Sequence, residues 1–251
     1  MLGALTMNQF ALVGAGALLG GAIFGVAGFA YGIIASLFLH HGFPAADVVF
    51  IVVSGALLLN LGMLPRFWRD IDMRRSMPYL AGATLGLPIG LFLLSTLDPR
   101  ITRILIALFI IAYCLLALRQ QSRDPLRLPG AHGVLADGLI GMAGGAVGGV
   151  SGLGPMVPAI WYGLRGLSKQ EQRAMTQPYG IYVQGIMVAW FLCTSTVSPA
   201  AVGGIAAAAP IMLVAAFAGL TAFDRLSAAR FQRLIILLAI VGAVFLLISQ
   251  L

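Results

Sequence analysis

Apolar segments long enough to cross a lipid bilayer recur from one end of this chain to the other. Each runs for about 20 residues or more, the length that a membrane-spanning helix needs, and charged side chains fall mainly in the links between them. Only 9% of the 251 residues are charged, whereas 60% are hydrophobic. That is too little charge to cover a water-soluble domain of this size. The sequence therefore predicts an all-α polytopic membrane protein.

Two glycine-rich stretches interrupt two of these segments at matching places. They cover residues 20–30 and 144–154, and six positions are identical when one is laid over the other. Glycine costs about 1 kcal/mol relative to alanine in a helix interior, so each stretch predicts a break in a helix. In a membrane, a broken helix persists only where protein buries it or where it lines a cavity. The alternative is that the small residues let neighbouring helices pack closely.

The match continues beyond the glycine stretches, which indicates an internal duplication. Asp47 and Glu171 stand at the same offset from them, each in the first turn of the next helix, where an acid suits the positive end of the helix dipole. Asn60 and Gln184 match again as polar amides within apolar helices. Further matches in the same order pair Pro78 and Pro88 with Pro199 and Pro210, and Arg100 and Arg103 with Arg230 and Arg233.

This duplication divides the chain into a first membrane repeat at residues 1–118, a linker at 119–133 and a second membrane repeat at 134–251. Lysine and arginine mark the cytoplasmic side of a membrane protein. Thirteen of the fifteen Lys and Arg residues fall in four clusters, at residues 65–76, 119–133, 165–173 and 223–233. The exceptions are Arg100 and Arg103. We therefore expect the four clusters to be cytoplasmic and both termini to lie outside.

With that assignment, each glycine-broken segment begins and ends on one side of the membrane. Each repeat is then a glycine-broken, re-entrant helical hairpin plus three transmembrane helices. An odd number of full crossings makes the second repeat inverted relative to the first, which is the plan of many secondary transporters. Eight ordinary crossings in parallel repeats are the alternative.

Neither catalysis nor metal binding is expected from the polar side chains. The acids and histidines lie at segment ends or in links, and the sequence brings no nucleophile–base–acid set or metal-ligand cluster to membrane depth. We therefore expect no enzymatic activity, no metal and no cofactor. The short helix that follows each break would instead offer free N–H groups and a positive dipole end to an anion.

Small residues at the breaks would let an anion approach the backbone directly, and Ser151 would add a hydroxyl donor. Asn60 and Gln184 are the best side-chain candidates, because polar groups in membrane helices tend to face the protein interior. Their alternative is an interhelical hydrogen bond that serves packing. The candidate substrate-binding residues are Gly25, Gly28, Phe29, Asn60, Gly149, Ser151, Gly152, Gly154, Gln177 and Gln184.

The two glycine stretches resemble those of the TauE/SafE sulfite exporter family, also called the 4-toluene sulfonate uptake permease family. Residues 25–29 and 148–155 carry the resemblance, which covers essentially the whole chain. The first copy departs from the family pattern, because Ala30 and Tyr31 stand where a further pair of glycines would be expected.

This resemblance implies a secondary transporter, on balance an exporter, of a small sulfur-containing anion such as sulfite or an organosulfonate. It implies alternating access around the two broken helices, in a multi-pass protein of the bacterial cytoplasmic (inner) membrane. The expected partners are the anion and the lipid bilayer, with no nucleic acid, and a homodimer is left open. A passive anion channel or a non-transporting membrane scaffold is the alternative from a different class.

Overall fold

The computed structural model describes residues 5–96, 99–120, 124–194 and 197–248. These residues form α-helices joined by short links, with no strand among them, and a single turn of 3-10 helix at Trp68–Asp70. The helices are α1 (Met7–Ala27), α2 (Tyr31–Leu39), α3 (Ala45–Phe67), α4 (Met73–Thr96), α5 (Pro99–Gln120), α6 (Gly130–Ser151), α7 (Met156–Leu164), α8 (Lys169–Thr194), α9 (Pro199–Arg225) and α10 (Ala228–Ile248).

Within the described ranges, six helices are long and apolar enough to cross a membrane, namely α1, α3, α4, α6, α9 and α10. This finding confirms the predicted all-α architecture with several membrane-spanning helices. The short helices α2 and α7 have nine residues each, about half the length that a crossing needs. Each follows a long apolar helix, as a broken segment requires.

Both breaks lie inside the glycine stretches, where the sequence predicted them. α1 ends just before Gly28 and α6 ends just before Gly152. These two glycines have positive φ angles of 90° and 72°. Only glycine adopts this left-handed conformation without strain, which is why it so often ends a helix. The N–H groups of Gly28 and Gly152 still donate to the carbonyls of Phe24 and Gly148, and the chain then turns away.

The helices pack into two units that are discontinuous in sequence. The first unit is Met1–Arg66 with Gly180–Leu226, and the second unit is Phe67–Tyr179 with Ser227–Leu251. In the first unit α1 packs along α9, and in the second unit α4 packs along α6. Each of these contacts therefore joins a helix of one predicted repeat to a helix of the other. The division of the chain into repeats at 1–118 and 134–251 stays a prediction.

Glycine makes both of these helix pairs unusually close. A Cβ added at nine of the glycines in these contacts would lie less than 3.0 Å from the backbone of the facing helix. In the first unit these residues are Gly21, Gly25 and Gly219, and in the second unit they are Gly82, Gly86, Gly90, Gly141, Gly145 and Gly149. Most are four residues apart, the small-residue spacing by which membrane helices associate. The glycine stretches therefore serve helix packing as well as the breaks.

Candidate functional site

The first break leaves backbone donors without partners. Tyr31, Gly32 and Ile33 are the first three residues of α2, and all three are buried. Within the described part of the chain, their N–H groups make no hydrogen bond. The first N–H groups of a helix have no partner inside the helix, and buried donors without one are costly. The start of α2 therefore has the chemistry that an anion needs.

The second break offers fewer donors. The N–H of Met156 donates to the carbonyl of Leu153 at 3.1 Å, and that of Val157 donates to Gly154 at 3.2 Å. Pro158, the third residue of α7, has no N–H to give. The expectation of free N–H groups at the start of the following helix is therefore met at the first break and wrong for these three residues of the second.

Ser151 already uses its hydroxyl within the second break. Its Oγ donates to the carbonyl of Val147 at 2.8 Å and accepts from the N–H of Leu153 at 3.4 Å. Gly154 keeps a backbone N–H that has no hydrogen-bond partner among the described residues. Of the candidates at this break, Gly154 is thus the one whose donor is unused.

Asn60 on α3 and Gln184 on α8 are brought together in the first unit. The Asn60 side-chain nitrogen donates to Gln184 Oε1 at 2.8 Å and to the carbonyl of Ala56 at 3.0 Å. Asn60 is 0% exposed and Gln184 is 2% exposed. Gly180 leaves room for the Asn60 side chain, since a Cβ at position 180 would lie 2.6 Å from the Asn60 side-chain nitrogen. This is the interhelical hydrogen bond that the packing alternative predicts, although Asn60 Oδ1 has no partner in the described part of the chain.

Of the remaining candidates, two glycines lie at helix contacts and one glutamine is buried without a hydrogen bond among the described residues. Gly25 and Gly149 face the backbones of α9 and α4, where no space is left beside their Cα atoms. Gln177 on α8 is fully buried, and neither of its amide atoms has a hydrogen-bond partner among the described residues. The first unit thus holds Gly25, Gly28, Phe29, Asn60 and Gln184, and the second unit holds Gly149, Ser151, Gly152, Gly154 and Gln177.

The sequence did not predict a buried polar cluster that lies in the second unit. Asp137 was placed near a segment end, but it lies two turns into α6 and is only 8% exposed. Its carboxylate accepts from the Trp161 indole at 2.7 Å and lies 3.7 Å from Arg165. Arg165 also donates to the carbonyls of Leu126 and Leu128. The cluster ties the end of α7 to α6 and to the linker.

Arg173 is a second residue whose environment the sequence did not reveal. It belongs to the basic cluster at residues 165–173 that was expected to be cytoplasmic, and its side chain is 0% exposed. Its guanidinium lies over the ring of Phe67, 5.0 Å from the ring centroid. The one sequence signal that pointed inward is the four-residue spacing from Gln177, which places the two side chains on one face of α8.

Comparison with known proteins supports a membrane-transport role. The model of the protein family described as Sulfite exporter TauE/SafE matches residues 12–246 of the chain. The matched span contains both breaks and all the candidate residues. No curated protein matches the chain.

Proposed function

Because this chain belongs to the TauE/SafE sulfite exporter family, we propose that it is a secondary transporter that exports a small sulfur-containing anion, such as sulfite or an organosulfonate. The family match over residues 12–246 carries this proposal, and six long apolar helices agree with a multi-pass membrane protein. We place it in the bacterial cytoplasmic membrane. Its work is transport, not catalysis.

The first break is the part of the proposed substrate path for which the backbone gives the most support. The buried, unbonded N–H groups of Tyr31, Gly32 and Ile33 can each donate to an anion oxygen without rearrangement of α2. Gly28 keeps the chain in the left-handed turn that ends α1 ahead of these groups. Phe29, which is buried in the same turn, would exclude water from the bound anion.

We further propose that the two repeats are inverted and that transport proceeds by alternating access around the two breaks. Reciprocal packing supports this. α1 of the first repeat packs on α9 of the second, and α4 of the first repeat packs on α6 of the second. Since α1 corresponds to α6, and α4 to α9, the helix contact in one unit matches the helix contact in the other. The hydrogen bond between Asn60 and Gln184 likewise joins matched residues of the two proposed repeats.

Transport is tested with purified protein in proteoliposomes loaded with unlabelled sulfite. A secondary transporter should take up radiolabelled sulfite by counterflow, and the initial rate should saturate with sulfite concentration. Flux without counterflow would indicate a passive channel, and no flux with any of sulfite, thiosulfate, sulfoacetate or taurine would indicate a scaffold. Either result would overturn the proposal.

The inverted topology is tested separately with reporter fusions at the two termini. Both termini should report from outside the cytoplasm. A cytoplasmic C-terminus would contradict the inversion while leaving the transport assay unaffected.

A further inference from the structure

An apolar groove lies between α4 and α6 in the second unit. The two helices are parallel, since Gly82, Gly86 and Gly90 of α4 meet successive turns of α6 from Gly138 to Ala146. Their first turns therefore lie at the same end of the pair. The groove has a volume of about 340 Å³, and its lining includes Pro78, Ala81, Gly82 and Leu85 of α4 with Leu135 and Gly138 of α6.

The groove has the properties of a site for a hydrocarbon chain. All of its lining residues are apolar or glycine, and both helices are long and apolar enough to cross a membrane. Gly82 and Gly138 have no side chains, so a gap remains between the larger side chains on either side. Leu85 and Leu135 are 65% and 64% exposed. In a bilayer, an acyl chain in this gap gains van der Waals packing, which is what favours apolar contacts there.

A positive charge stands at the end of the groove where both helices begin. Arg74 is exposed and lies four residues before Pro78, on the same face of α4. It makes no ion pair among the described residues, whereas Arg75 is paired with Glu171 at 3.3 Å. The nearby carboxylate of Asp72 accepts from the N–H of Arg75 at 3.0 Å. Long side chains on a helix point towards its N-terminus, so Arg74 extends beyond the apolar part of the groove.

Anionic lipids are concentrated on the side of the membrane where this charge is expected to lie. Arg74 belongs to the basic cluster at residues 65–76, and α6 begins within the basic cluster at 119–133. Both clusters are expected to be cytoplasmic. The cytoplasmic leaflet is negatively charged, and basic pockets between transmembrane helices on that side bind anionic headgroups. A phospholipid combines an acyl chain with a phosphate and so matches both parts of the groove.

We propose that this groove binds one anionic phospholipid, with an acyl chain between α4 and α6 and the headgroup phosphate on Arg74. The guanidinium donates two parallel hydrogen bonds to phosphate oxygens. Arg74 makes the site selective for a negative headgroup, whereas the apolar groove accepts any acyl chain that fits. The site contains no residue of either break and goes beyond the proposed transport function.

The test is a titration of the purified protein in detergent with phosphatidylglycerol, phosphatidylcholine and inorganic phosphate. Native mass spectrometry counts the bound lipid, and thermal unfolding measures its effect on stability. One phosphatidylglycerol should bind selectively to each chain and raise the unfolding temperature more than phosphatidylcholine does. Arg74→Gln should weaken phosphatidylglycerol binding about fivefold and remove most of this preference.

Two further variants fill the groove without changing its charge. A Cβ at Gly138 would meet only the carbonyl oxygen of Pro78, at 3.6 Å, so the fold should accommodate Gly138→Leu. Ala81 is exposed, and Ala81→Leu introduces another good helix former. Each variant should weaken the binding of both lipids about threefold or more, because leucine takes the space of the acyl chain.

Matched controls carry the same kinds of change outside the groove. Arg69→Gln removes a charge from the same basic cluster, in the 3-10 turn that precedes α4. Gly185→Leu adds a leucine on α8, where a Cβ meets nothing within 4 Å. Both controls should keep the parent's affinity for phosphatidylglycerol within about twofold.

Three results would overturn the proposal. The first is equal binding of phosphatidylglycerol and phosphatidylcholine to the parent, or the same stabilisation by inorganic phosphate alone. The second is a loss of affinity in the controls as large as that in the groove variants. The third is a dimer that binds no lipid selectively and that Ala81→Leu and Gly138→Leu dissociate, because a second copy of the chain would then cover the groove.

Discussion

The two breaks begin alike and then differ within three residues. Each begins with a glycine in the left-handed conformation, Gly28 or Gly152. The first then continues into α2 with N–H groups that remain free, whereas the second continues through Pro155 into α7, whose first N–H groups are bonded or absent. The same left-handed turn is therefore followed by free N–H groups in the first unit and by bonded or absent N–H groups in the second unit.

The aromatic side chain beside each break also comes from a different element. In the first unit the Tyr31 ring lies against Gly20 of α1, whose Cβ would be 3.0 Å from it, and against Gly55 of α3. In the second unit the hydroxyl of Tyr179 on α8 lies against Gly144 of α6. Gly144 is the repeat match of Gly20, and Tyr179 is the repeat match of Gly55.

The two predicted repeats thus differ in which element carries a tyrosine, the break or the following long helix. In the first unit the tyrosine is Tyr31 of the break, and the facing helix α3 has Gly55. In the second unit the facing helix α8 carries Tyr179, and the break has Pro155. The hydroxyl of Tyr179 donates to the carbonyl of Gly141 at 2.8 Å. A tyrosine ring therefore lies beside the matched glycines of α1 and α6 in both units, although a different element supplies it in each.

The largest effect is expected from the glycines that both units share at their helix contacts. Gly86→Leu on α4 would drive a side chain into the carbonyl of Met142, and Gly219→Leu on α9 would drive one into that of Ala22. Both should cost more than about 4 kcal/mol and abolish folded protein after extraction in detergent. Gly185→Leu, where a Cβ meets nothing within 4 Å, should fold. Normal size-exclusion profiles for both variants at the helix contacts would refute the shared packing.

The sequence alone could predict the helices and their breaks, but it could not predict these helix contacts. The apolar segments and the breaks at Gly28 and Gly152 were predictable, because glycine in a helix and charge in a membrane carry local costs. The pairing of α1 with α9 was not, because several helices carry small-residue faces and only tertiary packing selects among them.

The same reason explains the polar residues that were missed. The sequence placed Asp137 and Arg173 near segment ends, where a charged side chain is as easily hydrated as buried. Their burial depends on Trp161 and Phe67, which approach from other helices. The sequence could predict that backbone N–H groups follow each break. It could not predict that those of Met156 and Val157 are already hydrogen-bonded, because this depends on the turn that these two residues adopt.

The different placement of the tyrosine predicts a rescue. Tyr31→Ala should cost about 3–5 kcal/mol, as the loss of a buried aromatic ring does. Gly55→Tyr alone should also destabilise, because its Cβ would lie 2.5 Å from the Tyr31 ring. The double variant should recover at least half of the loss in unfolding temperature, with the ring introduced at position 55 taking the place that Tyr179 has in the second unit.

A matched control pairs Tyr31→Ala with Gly185→Tyr, which adds a ring where there is open space. That pair should show no recovery. If the two double variants are equally unstable, the two tyrosines are not counterparts.

The difference in free N–H groups predicts unequal effects of proline. Gly32→Pro removes an unbonded donor from the first turn of α2, where proline is tolerated. A hydrogen bond to a charged group contributes about 1.5–3 kcal/mol, so sulfite affinity should fall about tenfold or more. Val157→Pro removes a donor that already bonds to Gly154, so it should lower stability and leave affinity within about twofold. Sulfite titration measures the affinity of both variants. If Gly32→Pro and Val157→Pro lose the same affinity, the anion does not bind preferentially at the first break.

The smallest effect concerns two capping boxes, one in each unit. At α1, Thr6 pairs with the neutral side chain of Gln9, and at α8, Ser168 pairs with Glu171. The N–H and hydroxyl of Ser168 lower the pKa of the Glu171 carboxyl below its usual 4.5. A lowered pKa in the folded protein means that the carboxylate stabilises the fold above the unfolded pKa and loses this contribution as the pH falls through the folded value.

Glu171→Gln should therefore lower the unfolding temperature slightly at pH 7 and have a vanishing effect as the pH falls below the usual carboxyl pKa. The cost should stay below about 1 kcal/mol, because the side chain is half exposed and water screens its charge. The reciprocal variant, Gln9→Glu, should give α1 a pH dependence of the same sign, although it also removes the hydrogen bond that Gln9 Nε2 donates to the carbonyl of Gly42. Thermal unfolding of both variants from pH 7 down to about pH 2 measures this, since glutamine keeps the hydrogen-bond acceptor and removes only the charge. A loss at Glu171→Gln that is the same at every pH would mean that the charge contributes nothing and that the carboxyl acts only as an acceptor.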